Sequence, residues 1–365
     1  MMMDIQFGDA VLGIEEREAV LRVLDSGRLT RGENCESFEA LLTGLTGYGS
    51  HVVSSGTAAL HLALLAAGVK KGDRVVVPAT TYIATANAIL YCGAKPVVVD
   101  VESGSWTVSF ERAIEAVEEH KAVAIMPVHL YGVPAPDFMS WRDDYYRATG
   151  RLVRIIEDAA ESLGCKRSGM HPCGDFACLS FFGSKTITTG EGGAVLFRDE
   201  MLGRRVRHLA GQAQTRTRYL HDACGFNYRM TEVAAAIGEQ QLRRLPEFLA
   251  KRQQVFWWYD QYLSPAWMRQ KVWKDDTHGL WAYAVRRPAL EVPRVIRRMA
   301  QAGVETRPVF PWVTLHRHLQ GAHSYPLPAA GLLHHTGIVL PTHVNLSEGD
   351  VRRVCDELEA AADTQ

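Results

Sequence analysis

One lysine stands in a setting unusual for its type. Lys185 ends the run Ser180-Phe181-Phe182-Gly183-Ser184-Lys185, and Thr188-Thr189-Gly190-Glu191-Gly192-Gly193 follows it. An amine beside an apolar strand and ahead of a glycine-rich turn, if partly buried, loses its proton more easily and becomes a nucleophile. Without that context the residue reads as an exposed loop lysine. A second reactive group stands in Ile156-Glu157-Asp158-Ala159-Ala160-Glu161, where another apolar strand runs out. Open α/β sheets hold ligands at the carboxyl ends of their strands. A carboxylate there can pair with a protonated ring nitrogen or simply cap the next helix.

Two further stretches extend the pattern. In Ser54-Ser55-Gly56-Thr57-Ala58-Ala59-Leu60 a strand ends, a glycine turns the chain and a helix begins. The free N–H groups of a helix N-terminus carry about half a positive charge and make a phosphate site, here at Gly56, Thr57 and Ala58; the plainer reading is an N-cap. In Pro78-Ala79-Thr80-Thr81-Tyr82 an aromatic ring follows a strand, where it can stack on a flat ligand or merely pack. A nucleophilic lysine, a strand-end carboxylate, a phosphate cradle and a stacking ring together point to pyridoxal 5′-phosphate (PLP). At roughly 4 Å and an effective dielectric of about 20, a carboxylate–pyridinium pair is worth about 4 kcal/mol. Even half of that keeps the ring protonated near neutral pH, as an electron sink must be.

These residues need a scaffold, and the rest of the sequence supplies it. Runs rich in Val and Ile at Arg74–Pro78, Pro96–Asp100, Ala122–Val128, Leu152–Glu157, Phe176–Phe181 and Gly193–Phe197 read as strands buried on both faces. Helical spacing lies between them: Phe38, Leu41, Leu42 and Leu45 behind Asn34 as N-cap; Leu60, Ala63, Leu64 and Ala67 ending at Gly68; Ser109–His120; and Asp137–Thr149. The alternation predicts an α/β fold with a mostly parallel sheet in residues 1–240. A smaller α+β domain is expected in 241–365. It opens with a long helix, Leu242–Leu263, kinked near Pro246. Strands follow near Trp281–Arg287 and Val304–Thr306, with helices at Pro293–Gln301 and Val351–Ala362. Residues Arg307–Pro328, rich in Pro, His and aromatics, read as an irregular loop.

The stretches SSGTAALHLAL, VPATTYIATANAILYCGAKPVVVDV, MPVHLYG, IIEDAAESLG, LSFFGSKTITTGEGG and GFNYRMTEVAAAIG resemble the DegT/DnrJ/EryC1/StrS sugar aminotransferases, over roughly Gly27 to Leu346. The resemblance implies the aspartate-aminotransferase-like fold (fold type I) and PLP as cofactor. It implies that Lys185 forms the Schiff base and shuttles the proton, that Asp158 pairs with the pyridine nitrogen, and that Tyr82 stacks on the ring. Glu161 then sits near the ring 3-oxygen, where many relatives carry glutamine. Gly56, Thr57 and Ser180 hold the phosphate, joined by Asn227 from a second subunit of a homodimer. Arg229 clamps the carboxylate of the amino donor, L-glutamate. Within the family, TYIATANAILYCGAKP, HLYG and SFFGSKTITTGEGG are most similar to enzymes that aminate C4 of GDP-4-keto-6-deoxymannose. One departure bears on the sugar: after Phe310 this chain has Pro311 and Trp312, where relatives carry a histidine, and His316 is the substitute.

Other classes fit less well. The 365 residues carry a net charge of −1, which favours neither nucleic acid nor an anionic membrane. The basic run Arg204, Arg205, Arg207, His208, Arg216 and Arg218 is either a solvated face or a patch that meets an anionic substrate. Seven scattered cysteines argue against a disulfide framework and for a reducing cytoplasm. Cys165, His171, Cys173 and Cys178 lack a Cys-x-x-Cys pair, so no metal site is expected there. The first ten residues have no signal-peptide pattern, and no apolar run approaches the roughly 20 residues that span a bilayer. Amination of a 3-keto nucleotide sugar or a keto-cyclitol remains an alternative, as does a PLP-binding regulatory protein without turnover. Lys185 itself argues against the related sugar dehydratases, which carry histidine at that position.

Overall fold

The computed structural model describes residues 3–8, 10–171 and 174–363. Its larger sheet has the strand order β1-β7-β6-β5-β4-β2-β3-β11. These are β1 (Gly49–Val53), β2 (Arg74–Pro78), β3 (Lys95–Val99), β4 (Ala124–Ile125), β5 (Arg154–Asp158), β6 (Phe176–Ser180), β7 (Gly193–Phe197) and β11 (His323–Ser324). Only β7 runs antiparallel to its neighbours; every other pair is parallel. Val75, Val76, Val77, Val97, Val98 and Val99 are wholly buried, as strands covered on both faces require.

Helices α1 (Ile14–Ser26), α2 (Glu33–Thr46), α3 (Gly56–Ala66), α4 (Ile83–Tyr91), α5 (Phe110–His120), α6 (Met139–Thr149), α7 (Glu200–Ala210) and α8 (Glu232–Arg243) accompany this sheet. Helix α3 is apolar on nearly every side and buries Ala58 through Leu64 between β6, β7 and α4. Truncating one of its leucines would cost about 2–5 kcal/mol. That packing holds the N-terminus of α3 rigidly at the sheet.

Helix α9 (Leu245–Tyr262) leads into an antiparallel sheet of order β10-β12-β9-β8, formed by β8 (Met268–Arg269), β9 (Tyr283–Arg286), β10 (Arg307–Pro308) and β12 (Gly337–Leu340). Helices α10 (Val292–Gln301), α11 (Pro328–Thr336) and α12 (Glu348–Asp363) complete it. A separate core of Val255, Tyr259, Val295, Met299, Ile338 and Leu358 lies here. Ile5 joins that core, because the N-terminal segment bridges to Val304.

Three local expectations are corrected. Asn34 lies inside the first turn of α2, and Gly32 is the N-cap. The orphan donors are satisfied from 200 residues away: the Glu232 carboxylate accepts the N–H groups of Gly32, Asn34 and Cys35. The expected long helix is two, α8 and α9, parted at Arg244; Pro246 sits in the first turn of α9, where its missing N–H costs nothing. The expected loop 307–328 contributes β10 to one sheet and β11, paired with β3, to the other.

Candidate active site

Strand ends β2, β5 and β6, the start of α3 and residues of the second sheet surround a cavity of about 380 Å³. Gly56, Thr57, Tyr82, Asp158, Glu161, Ser180 and Lys185 all line it, although they are spread over 130 positions. Sequence reasoning missed Trp281, Arg307 and Phe7 on the same wall.

Lys185 follows β6 through a tight turn closed by its N–H to Phe182 O (2.9 Å). Its Nζ lies 3.5 Å from Glu161 Oε1 and 3.9 Å from the ring centroid of Trp281. The indole is pinned in turn, donating to Ser184 O at 2.8 Å. Burial lowers the Lys185 pKa, while the Glu161 and Asp158 carboxylates pull it back up. Burial raises the Glu161 pKa, against the nearby lysine. Both shifts favour the same uncharged pair, an amine beside a carboxylic acid.

Glu161 is oriented from its other side, where Oε2 accepts the N–H of Tyr131 at 2.8 Å. Tyr131 belongs to the His129-Leu130-Tyr131-Gly132 stretch and has a positive φ of 57°. That strained backbone aims its N–H at Glu161 while its buried hydroxyl accepts the N–H of Phe310.

Asp158 closes β5. Its Oδ2 accepts the Thr85 hydroxyl at 2.7 Å, and Thr85 lies 2.7 Å from the Thr81 hydroxyl. Its Oδ1 accepts the N–H of Ala160 at 3.1 Å. Beneath Asp158, Glu157 and His129 are wholly buried. The N–H of Ala135 donates to His129 Nδ1 at 2.8 Å, so His129 carries its proton on Nε2 and donates to Glu157 at 3.1 Å. Arg167 donates to the other Glu157 oxygen at 2.9 Å. Burial alone would raise Glu157, but Arg167 and His129 outweigh it and hold the acid at about 2. His129 N–H also donates to Asp158 O at 3.0 Å, which ties this ion-paired layer to the strand end above it.

At α3, Ser55 is the N-cap, and its Oγ accepts the N–H of Ala58. Ala58 is therefore turned into the helix, and it does not line the cavity. A Cβ on Gly56 would stand 2.8 Å from the Cβ of Ser180, and one on Gly193 would stand 2.6 Å from the Ser55 carbonyl. Both glycines let the helix start approach the ends of β6 and β7. Tyr82, the N-cap of α4, is 58% exposed at the mouth and stands 5.7 Å from the ring of Phe310.

Three expected site residues lie elsewhere in the single chain. Asn227 is exposed, and its Oδ1 accepts from Arg229 Nη2 at 2.9 Å. His316 is half-buried beside His318. None of these three lines the cavity. The basic run divides: Arg204 and Arg207 pair with Glu200, His208 pairs with Asp222, and Arg216 and Arg218 are exposed. Cys165 and Cys178 are buried in the core, and Cys173 lies outside the described residues. Among the described residues no helix is long and apolar enough to cross a membrane.

The sequence profile of the DegT/DnrJ/EryC1/StrS aminotransferase family matches residues 11–359. The chain belongs to this family. Two similar members are the GDP-perosamine synthases of Caulobacter vibrioides, 39% identical over 94% of each chain, and of Escherichia coli O157:H7, 38% identical over 94% of each. Among solved structures, the aminotransferase TlmJ of Streptoalloteichus hindustanus superposes with a TM-score of 0.90 over 99% of this chain and 98% of that one, at 31% identity. The protein is a PLP-dependent aminotransferase of fold type I. The cavity fits that cofactor by its donor set. It offers a largely buried amine for an aldehyde, a buried carboxylate for a ring nitrogen, and a helix N-terminus opened by two glycines for a phosphate.

Proposed function

We propose that this aminotransferase moves an amino group from L-glutamate to C4 of GDP-4-keto-6-deoxymannose, releasing 2-oxoglutarate and GDP-perosamine. The observation that carries the substrate is the identity to two GDP-perosamine synthases over nearly the full length of each chain.

In this reading Lys185 would hold the cofactor through its amine and would move a proton at Nζ. Asp158 would hold the ring nitrogen. Gly56 and Thr57, with the hydroxyl of Ser180, would hold the phosphate, and Tyr82 would cover the ring. When bound, PLP supplies the electron sink that accepts charge from the substrate carbon. The Glu161 carboxylate, 3.5 Å from Lys185 Nζ, orients the amine and draws its pKa up against burial. Trp281 and Phe310 exclude water from the inner wall. Splitting the transfer into two half-reactions lets one cavity serve two substrates in turn.

Asn227 is exposed and reaches the phosphate of a second copy of this chain, which makes the working unit a homodimer. Arg229 lies beside it and binds the glutamate carboxylate, and His316 contacts the sugar. Residues 1–240 act as the cofactor domain and 241–365 as the smaller domain, in a cytoplasmic enzyme.

The test is the absorbance of the PLP-loaded protein before and after L-glutamate, then after the keto-sugar. The reading expects the visible band to fade with glutamate, to return with GDP-4-keto-6-deoxymannose, and an amino-sugar nucleotide to appear by mass spectrometry. A band restored only by a dTDP-linked or 3-keto sugar would replace the substrate. A band that ignores glutamate would remove the donor.

A further inference from the structure

Away from the cofactor cavity, one cluster has the composition of a metal site. Glu119 and His120 end α5, and His323 lies on β11, the exposed edge strand paired with β3. One ligand atom from each lies within 4.8 Å of the other two. The two imidazole centroids are 4.0 Å apart. His120 Nε2 is buried and has no hydrogen-bond partner. An orphaned buried nitrogen calls for a water or an ion. Glu119 Oε1 stands 3.7 Å from that same nitrogen, and the Tyr325 hydroxyl donates to Oε2. A carboxylate anchored by a tyrosine on one oxygen presents its other oxygen, as outer partners of metal ligands do.

We propose that Glu119, His120 and His323 bind one divalent transition-metal ion of the zinc type. Two imidazoles and a carboxylate are the borderline donors that such an ion prefers, with the fourth position left to water. A tetrahedral ion at about 2.0–2.1 Å from each ligand holds them roughly 3.3 Å apart. Glu119 and His323 are both exposed, so rotation of their side chains closes the difference without moving the backbone. A neighbouring cation, Arg74, is turned to the His120 carbonyl at 3.1 Å.

None of the three residues lines the cofactor cavity, so the ion is not part of the amino transfer. Its place suggests a staple. Residues 309–322 join β10 to β11 and include Phe310, which lines the cavity. Strand β11 is held to β3 by only two residue pairs. Metal bridging α5 to β11 fixes the far end of that segment.

Titration calorimetry of the chelator-treated, PLP-loaded full chain with Zn²⁺ tests this. One ion per chain is expected, with His323→Gln abolishing the event and Tyr325→Phe weakening it about tenfold or more. Co²⁺ in place of Zn²⁺ should give the intense visible absorption of a four-coordinate ion, lost in H323Q. His323 is exposed, so H323Q should fold; equal unfolding temperatures of it and the wild type in chelator establish that. Zn²⁺ should then raise the unfolding temperature of the wild type alone. No Zn²⁺ binding overturns the proposal, and so does binding unchanged in H323Q, which would direct the ion to the His316/His318 or His334/His335 pairs.

Discussion

Lys185 Nζ and Glu161 Oε1 lie 3.5 Å apart on a buried wall. The carboxylate is one of two groups that raise the lysine's pKa against burial. Replacing Glu161 by glutamine removes that charge while keeping a side chain of the same size. The Lys185 pKa should fall further. In cofactor-free protein, the pH midpoint for acetylation of Lys185, read by peptide mass spectrometry, should move to lower pH in E161Q. A midpoint that stays or rises would show that Glu161 does not govern the amine.

Thr85 positions Asp158 through a 2.7 Å hydrogen bond. Bonds to charged groups contribute about 1.5–3 kcal/mol, so Thr85→Val should lower kcat about 10- to 150-fold. KM for glutamate should change much less, because Thr85 does not line the cavity. Thr85→Ser should restore most of the rate. Equal loss in both variants would point to packing of the β-branch instead.

Glu157 sets an acid limit on stability. Its pKa is held at about 2, well below the ordinary carboxylate value, by Arg167 and His129. A depressed acid stabilises the fold above its unfolded pKa, near 4.5, and loses that contribution as pH falls toward 2. Glu157→Gln leaves Arg167 with the more exposed Asp137, 3.6 Å away, as its charge partner, so the loss at neutral pH should be about 1–3 kcal/mol. The mutant's stability should also vary less between pH 5 and 3, as read by urea unfolding across that range. A wild-type slope in E157Q would mean that another carboxylate carries the acid sensitivity.

Gly56 has no room for a methyl group, since a Cβ would meet that of Ser180 at 2.8 Å. Overpacking costs about 1–3 kcal/mol, so Gly56→Ala should raise the apparent Kd for PLP about 5- to 150-fold. Fluorescence titration measures it. Unchanged affinity in G56A would remove the start of α3 from the phosphate site.

The chemistry was legible where it sat in short, local motifs. Lys185, Asp158 and Gly56 each stand where an apolar run meets a turn, and the continuous Val and Ile pattern fixes which turns share one edge of a sheet. What escaped has no local signal. Arg307 lies on β10 of the second sheet and Trp281 just ahead of β9, and only tertiary packing brings them to Lys185. Asn34 looked like a cap because nothing nearby shows that Glu232, 198 positions away, serves α2. Pro246 suits a kink or a first turn equally, and the break at Arg244 decided between them. Strand β11 is two residues long and takes its register from β3 rather than from its own sequence.

The attachment of the cofactor to Lys185 is the central claim, and borohydride trapping tests it most directly. Reducing the PLP-loaded protein with borohydride, digesting it and sequencing the labelled peptide by mass spectrometry should find the pyridoxyl phosphate group on Lys185 alone, and none at that peptide in Lys185→Ala. A label on any other lysine, or no label in protein that shows the visible PLP band, would contradict the account.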